Sequence, residues 1–529
     1  MMLYRMLSVA FSLLMLTTPM RAQTAAKPKL VVVVMVDQFR YDYLTRFRQD
    51  YHGGLDRLLS HGADFTNAFY AQTPTVTAVG HSIILTGAMP SSSGVIGNSW
   101  YDRVEGKVVT SVCDWNVTMV GAPQPPKGER CTDSDPASPK RLLVTALGDE
   151  LRDAHPDSKV IGISIKARSA ILPSGHSSNG AFWFDDGNGN FVTSSFYMDK
   201  LPGWADAFNK QKLPAKYVEQ KWDEFPSWDF HSTGNAYAKL PASPWGNELI
   251  EQFAEAAVTG EKLGQRGVTD LLTISFSSND YVGHAVGPNA PEVRNMSIRT
   301  DQLLQKLFEL IDRGVGMNNT VVVLSADHGV ASTPEHDDTL HLPGGYIHVD
   351  AQDAVQSALT QVFGKGTWVI PGPGDSIYLN WDTVTSAQKK ASGAALEEDD
   401  LYRVATSALL ATPELHVARV YTREQLSNGV AGDFVAQAMM NGFNPRRSGD
   451  ISIVFEPGYM PGTSGTTHFS PWAYDRHVPM LLMGPGIKPG RYDENVQVND
   501  IAPTLATLLD IQTPSGSSGR VLPVLEHDR

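Results

Sequence analysis

Five short segments share one pattern: a near-continuous apolar, largely β-branched run that stops abruptly. Leu30 to Val36 (LVVVVMV) runs into Asp37, Val160 to Ile165 (VIGISI) into Lys166 and Arg168, and Leu271 to Phe276 (LLTISF) into Ser277, Asn279 and Asp280. Thr320 to Ala326 (TVVVLSA) ends at Asp327 and His328, and Val478 to Met483 (VPMLLM) at Gly-Pro-Gly. Runs without polar alternation predict strands buried on both faces, as in a parallel sheet. Between them the spacing predicts helices. Pro291 to Val315 puts Met296, Leu303, Leu304, Leu307 and Ile311 on one face and charges on the other. Asn499 to Leu509 opens with capping residues and a proline close behind. Strands alternating with helices imply an α/β sandwich: a mostly parallel central sheet flanked by helices. In such folds chemistry gathers at the carboxyl ends of the strands, where these Asp, His, Lys and Arg residues fall.

Two regions break the pattern. Residues 170–250 contain FWFDDGNGNFVTSSF, which predicts a hairpin turning at Gly187-Asn188-Gly189, then a Trp/Pro-rich stretch. The DDGNGN segment lacks the glutamate that closes an EF-hand, so it reads as a turn. Residues 340–460 are similarly mixed. Both regions read as α+β insertions capping a single main domain that spans 23–529. With 42% hydrophobic and 19% charged residues and no low-complexity tract, the chain has the composition of a large globular protein. Its net charge of −14 argues against nucleic acid or an anionic membrane as partner. Any site for an anionic substrate must therefore be made positive locally.

The N-terminus reads as a signal peptide, residues 1–22. Arg5 supplies the positive region, Leu7 to Leu16 the apolar core, and cleavage is expected after Ala22 or near Ala25 and Ala26. A periplasmic or secreted protein without stable membrane association is expected, as a monomer. The chain has two cysteines, Cys113 and Cys131, which suggest one disulfide in an exported protein. Two thiolates alone do not complete a zinc shell.

Candidate chemistry lies at the run ends. Asp280 and His284 are four apart in NDYVGH, so a helix would turn both to one side. Asp327 and His328 are adjacent and need the bend that Gly329 supplies. Asp37 ends the first run, and His468 lies far along in GTTHFSP. Carboxylate and imidazole together suit zinc or a similar first-row ion. The nucleophile candidate is Thr77, in PTVTAVGH ahead of a helix, where free N–H groups favour an anion. A free hydroxyl is a poor nucleophile at neutral pH, and coordination to a metal lowers its pKa. Singly, each residue has an ordinary structural role: a strand-end cap, a helix cap, a loop histidine. Order and spacing together carry the signal.

That set resembles the alkaline phosphatase superfamily, and within it the threonine-nucleophile, zinc-dependent bacterial periplasmic alkaline phosphatases, kin to the nucleotide pyrophosphatase/phosphodiesterases. The motifs are VDQFRYDYL, TVTAVGH, GNSWYDR, KAR, SNDYVGH, SADHG and THFSPWAYDRHVP, in the family's order from about residue 30 onward. Val79 departs from the family's usual proline; His81 reads as structural. The resemblance implies an alkaline-phosphatase-like sandwich and two zinc ions. One would be held by Asp280, His284 and His468, the other by Asp37, Asp327, His328 and the Thr77 oxygen. It implies a covalent phosphothreonine, then hydrolysis to alcohol and inorganic phosphate. Activity is expected to rise at alkaline pH and vanish with chelator.

A two-metal site by itself does not separate phosphate monoesters from diesters. Lys166 and Arg168, two apart on what reads as an extended segment, would leave the same face and meet the extra charge of a monoester. Asn98, in GNSWYDR, can donate a neutral hydrogen bond. The family's monoesterases use an asparagine, a lysine and an arginine in these places. Small phosphate monoesters are the expected substrates, with a phosphodiesterase or nucleotide pyrophosphatase on the same scaffold as the alternative.

Overall fold

All seven residues of the strand Leu30–Val36 are buried, as a both-faces-covered strand requires. The computed structural model describes residues 27–128, 135–230, 235, 237–373, 376–390 and 397–526. Leu30–Val36 lies at the middle of a ten-stranded sheet. Its order is Gly490–Gln497, Ala63–Phe69, Met480–Met483, Thr320–Ser325, Leu30–Val36, Asp270–Phe276, Val160–Ser164, Gly180–Asp185, Asn190–Ser194, Met119–Val120. Five neighbouring strands, from Thr320–Ser325 to Gly180–Asp185, run parallel. The register pairs Val36 with Phe276 and Met35 with Ser325, so these strands end level. The expected α/β architecture is borne out.

The run at Val478 to Met483 forms a strand, Met480–Met483, but it is antiparallel to its neighbour, with Met480 opposite Ser325. Its amino end, and the loop before it, therefore lie at the rim where the parallel strands finish. The hairpin expected within an insertion is present, yet its first strand, Gly180–Asp185, pairs parallel with Val160–Ser164 and extends the central sheet. The segment 340–460 builds a unit of its own. Its antiparallel sheet runs Val369–Ile370, Ser376–Leu379, Ile451–Phe455, Val417–Thr422, backed by helices Ala351–Phe363 and Glu398–Leu410. Val355, Leu359, Leu401, Leu409 and Ile451 close a separate core there.

The long helix Pro291–Gly314 buries Met296, Leu303, Leu304, Leu307 and Ile311, the face its periodicity predicts. Cys113 is buried, whereas Cys131 lies outside the described residues, as does the expected signal peptide. Among the described residues no helix is long and apolar enough to cross a membrane.

Candidate active site

Four adjacent parallel strands deliver their last residues to one rim. Asp37 follows Val36, Lys166 follows Val160–Ser164 by two residues, Asp280 lies in the first turn of the helix that starts just after Phe276, and Asp327 and His328 follow Ser325. Strands lie under 5 Å apart, roughly, so residues distant in sequence become neighbours here. Asp280 and His284 sit one turn apart on the helix Ser278–Val286, and their side chains meet, His284 Nε2 to Asp280 Oδ1 at 3.1 Å. His468 arrives on the loop preceding the antiparallel strand, its Nε2 3.6 Å from the same oxygen.

Thr77 opens the buried helix Thr77–Thr86. Gly80 lets that helix approach the sheet: a Cβ there would lie 2.1 Å from the Asp327 carbonyl oxygen. Thr77 Oγ1 consequently lies 3.5 Å from His328 Nε2, which is itself 3.5 Å from Asp37 Oδ1 and 3.4 Å from Asp327 Oδ2. The N–H of Ala78 is taken by Asn98 Oδ1 at 2.8 Å, so Asn98 caps the helix from 20 residues away. His81 bonds the Thr77 carbonyl and Ser275 Oγ, at 2.9 and 2.8 Å. Burial lowers its pKa to about 4, which makes it a neutral brace.

Lys166 is buried between the groups, its ammonium 2.6 Å from both Asp37 Oδ2 and Asp280 Oδ2. Burial opposes its charge, but Asp280 and Asp37 outweigh burial and hold its pKa well above the usual lysine value. Arg168 departs from the expected geometry. The strand stops at Ser164 and a helix starts at Ala167 with Lys166 at its N-cap, so Arg168 stands, half-buried, in a first helical turn rather than on an extended segment. Its charge still reaches Lys166 and His81.

Two sets of side chains bring their donor atoms within 4.8 Å of one another: Asp280 with His284 and His468, and Asp37 with Asp280 and His328. Three features fit them to metal ions. Each histidine turns Nδ1 to a backbone carbonyl, at 2.7 Å for His284 and Thr466, 2.7 Å for His468 and Thr75, and 2.9 Å for His328 and Gly329, which presents Nε2 as the ligand atom. Asp37 Oδ1 and Asp327 Oδ2 are buried and accept no hydrogen bond. Burial and then the neighbouring carboxylates push the Asp37 carboxyl well up, and burial takes that of Asp327 up to about 6. Three buried carboxylates, Asp37, Asp280 and Asp327, thus surround the single ammonium of Lys166, which leaves the pocket short of positive charge.

Sequence reasoning passed over Asp475. Its Oδ2 accepts from Phe469 N at 3.1 Å, Ser470 N at 2.8 Å and Ser470 Oγ at 2.6 Å, pinning the loop that carries His468. The signal was the Asp in SPWAYD, five residues after the serine. Beside His284 and His468 opens a cleft of about 420 Å³, walled by Asn98, Trp100, Tyr378, Phe443 and Phe455, some from the 340–460 unit.

Among known proteins, residues 31–477 match the family described as Type I phosphodiesterase / nucleotide pyrophosphatase. Alkaline phosphatase PhoV of Synechococcus elongatus is 38% identical, the alignment covering 94% of this chain and 93% of the relative. Alkaline phosphatase PafA of Elizabethkingia meningoseptica is 36% identical, covering 96% and 95%. The crystal structure of wild-type PafA is similar with a TM-score of 0.86 at 34% identity, covering 94% of this chain and 99% of that one.

Proposed function

The chain belongs to the Type I phosphodiesterase / nucleotide pyrophosphatase family, and from that membership we propose that it hydrolyses phosphate monoesters through a phosphothreonine on Thr77, at a site for two zinc ions. It is an alkaline phosphatase, as its full-length relatives are named. The observation that carries the mechanism is the Thr77 hydroxyl, buried and 3.5 Å from His328 Nε2, on the flank of Asp37 and Asp327.

Asp280, His284 and His468 would hold one zinc, and Asp37, Asp327 and His328, with the Thr77 oxygen, the other. When bound, a zinc pair lowers the pKa of a hydroxyl and neutralises charge developing on phosphoryl and departing oxygens. The protein's own part is orientation and charge. The helix from Thr77 fixes the nucleophile, and Gly80 sets how close it comes. Asn98 spends its Oδ1 on Ala78, which leaves its amide N–H groups for a phosphoryl oxygen. Lys166 and Arg168 add the positive charge that a monoester dianion needs and a diester monoanion does not. The cleft beside His284 and His468 receives the alcohol portion. Water then cleaves the phosphothreonine, returning the Thr77 hydroxyl and releasing inorganic phosphate.

The same reading includes export to the periplasm or medium after removal of residues 1–22, and a disulfide between Cys113 and Cys131. Acid-quenched protein should carry phosphate on Thr77 by peptide mass spectrometry. Thr77→Ala should lower kcat/KM for p-nitrophenyl phosphate by about 10⁴-fold or more while phosphate still binds. Faster turnover of bis-p-nitrophenyl phosphate than of the monoester would assign the chain to the diesterases instead.

A further inference from the structure

Gln38 has no role in the mechanism above, although it follows Asp37 directly and is 2% exposed. Its φ of 61° lies in the left-handed region, which a side-chain-bearing residue adopts only when surroundings impose it. That backbone turn sends its two donors to different carboxylates. The backbone N–H reaches Asp327 Oδ1 at 3.1 Å, and the side-chain Nε2 reaches Asp280 Oδ1 at 2.8 Å. Asp280 Oδ1 is also the oxygen facing His284 Nε2 at 3.1 Å and His468 Nε2 at 3.6 Å. A carboxylate oxygen has two lone pairs, so the amide can occupy one and leave the other to a ligand.

The neighbouring helix keeps space for this amide. A Cβ on Gly283 would lie 1.8 Å from Gln38 Oε1. Gly283 sits inside the helix Ser278–Val286, where alanine is the better helix former, so its glycine runs against local propensity. The atom it would strike is the tip of a flexible side chain. Alanine at 283 should therefore displace the amide and leave the backbone where it is.

We infer that Gln38 is a positioning residue: its side-chain amide sets the orientation of Asp280 as a zinc ligand, and Gly283 preserves the room it needs. The inference rests on the two-zinc reading. The test is stepwise zinc affinity of the full-length protein, by chelator competition, for wild type, Gln38→Gly and Gly283→Ala, with Tm measured on the metal-free forms. Gln38→Gly keeps the backbone N–H and suits the positive φ, so it removes only the amide. Both variants should bind zinc about 10- to 100-fold more weakly at one site, leave the other within about threefold, and keep the metal-free Tm. Their p-nitrophenyl phosphate turnover should recover at saturating zinc. Zinc affinities equal to wild type at both sites, or a fall at both sites with a lowered metal-free Tm, would overturn the role of Gln38. A wild-type chain that takes up no pair of zinc ions would overturn the two-zinc reading instead.

Discussion

Asp37, Asp327 and His328 hang from two adjacent strands of the central sheet, and each is 0% exposed. Asp280, His284 and His468 are assembled differently: two come from a helix at the rim, the third from a loop nearly two hundred residues on, and the His284 side chain is 36% exposed. The first group takes its rigidity from strands whose every side chain is packed. The second must be pinned by individual hydrogen bonds, from the histidines to the Thr466 and Thr75 carbonyls and from the loop to the Asp475 carboxylate. The exchange is access, because the second group borders the cleft and the first does not. Under the proposed mechanism, enclosure would suit a nucleophile that must not move, and openness an alcohol that must leave.

That contrast can be broken by mutation. Asp37→Ala should lower kcat/KM by about 10³-fold or more, with no recovery in added zinc, since it opens a buried group that cannot rearrange. His284→Ala should cost less, roughly 10- to 100-fold, and excess zinc should restore most of it; equal, equally irreversible losses would erase the distinction. Lys166→Ala should shift the ratio of p-nitrophenyl phosphate to bis-p-nitrophenyl phosphate turnover by about 10²-fold toward the diester. An unchanged ratio would remove Lys166 from substrate selection. Asp475→Ala should weaken zinc binding at the looser group alone, by about tenfold, read by chelator competition.

The smallest effect lies away from both groups, at His176 and Asp149, 3.5 Å apart. The Asp149 carboxylate, accepting from the imidazole, raises the His176 pKa, so the stability it contributes is complete below about pH 6.5 and is lost as pH rises through the higher folded value. For Asp149, burial opposes ionisation, but His176 and backbone donors lower its pKa; its share is present above the ordinary carboxylate range and lost as pH falls. His176→Gln should therefore lower Tm slightly near about pH 6 and not near about pH 9, in scans at fixed zinc.

Much of this arrangement was legible in advance, for specific reasons. Asp37, Asp327 and His328 each read singly as ordinary strand-end residues and stood out through their order and spacing together with the other candidates. The spacing of Asp280 and His284 is one helical turn, and they do meet. Strand direction was not legible in VPMLLM, because a strand covered on both faces looks alike whichever way it runs. Nor was the start of the helix at Ala167, which moved Arg168 off the extended segment: nothing in ISIKARSA breaks the strand. The hairpin at 180–194 joined the main sheet through backbone bonds to Val160–Ser164, a pairing that its side chains do not advertise.

Local order in the chain was enough to mark candidate site residues and the central strands, because burial pattern and helical spacing are properties of a few neighbouring residues. Convergence was decided by the tertiary structure alone. The arrival of His468 at Asp280, the cap from Asn98 to the helix of Thr77 and the left-handed turn at Gln38 each depend on level strand ends and close packing between distant segments. Such contacts are set by the shape of the whole sheet, which no window of sequence contains.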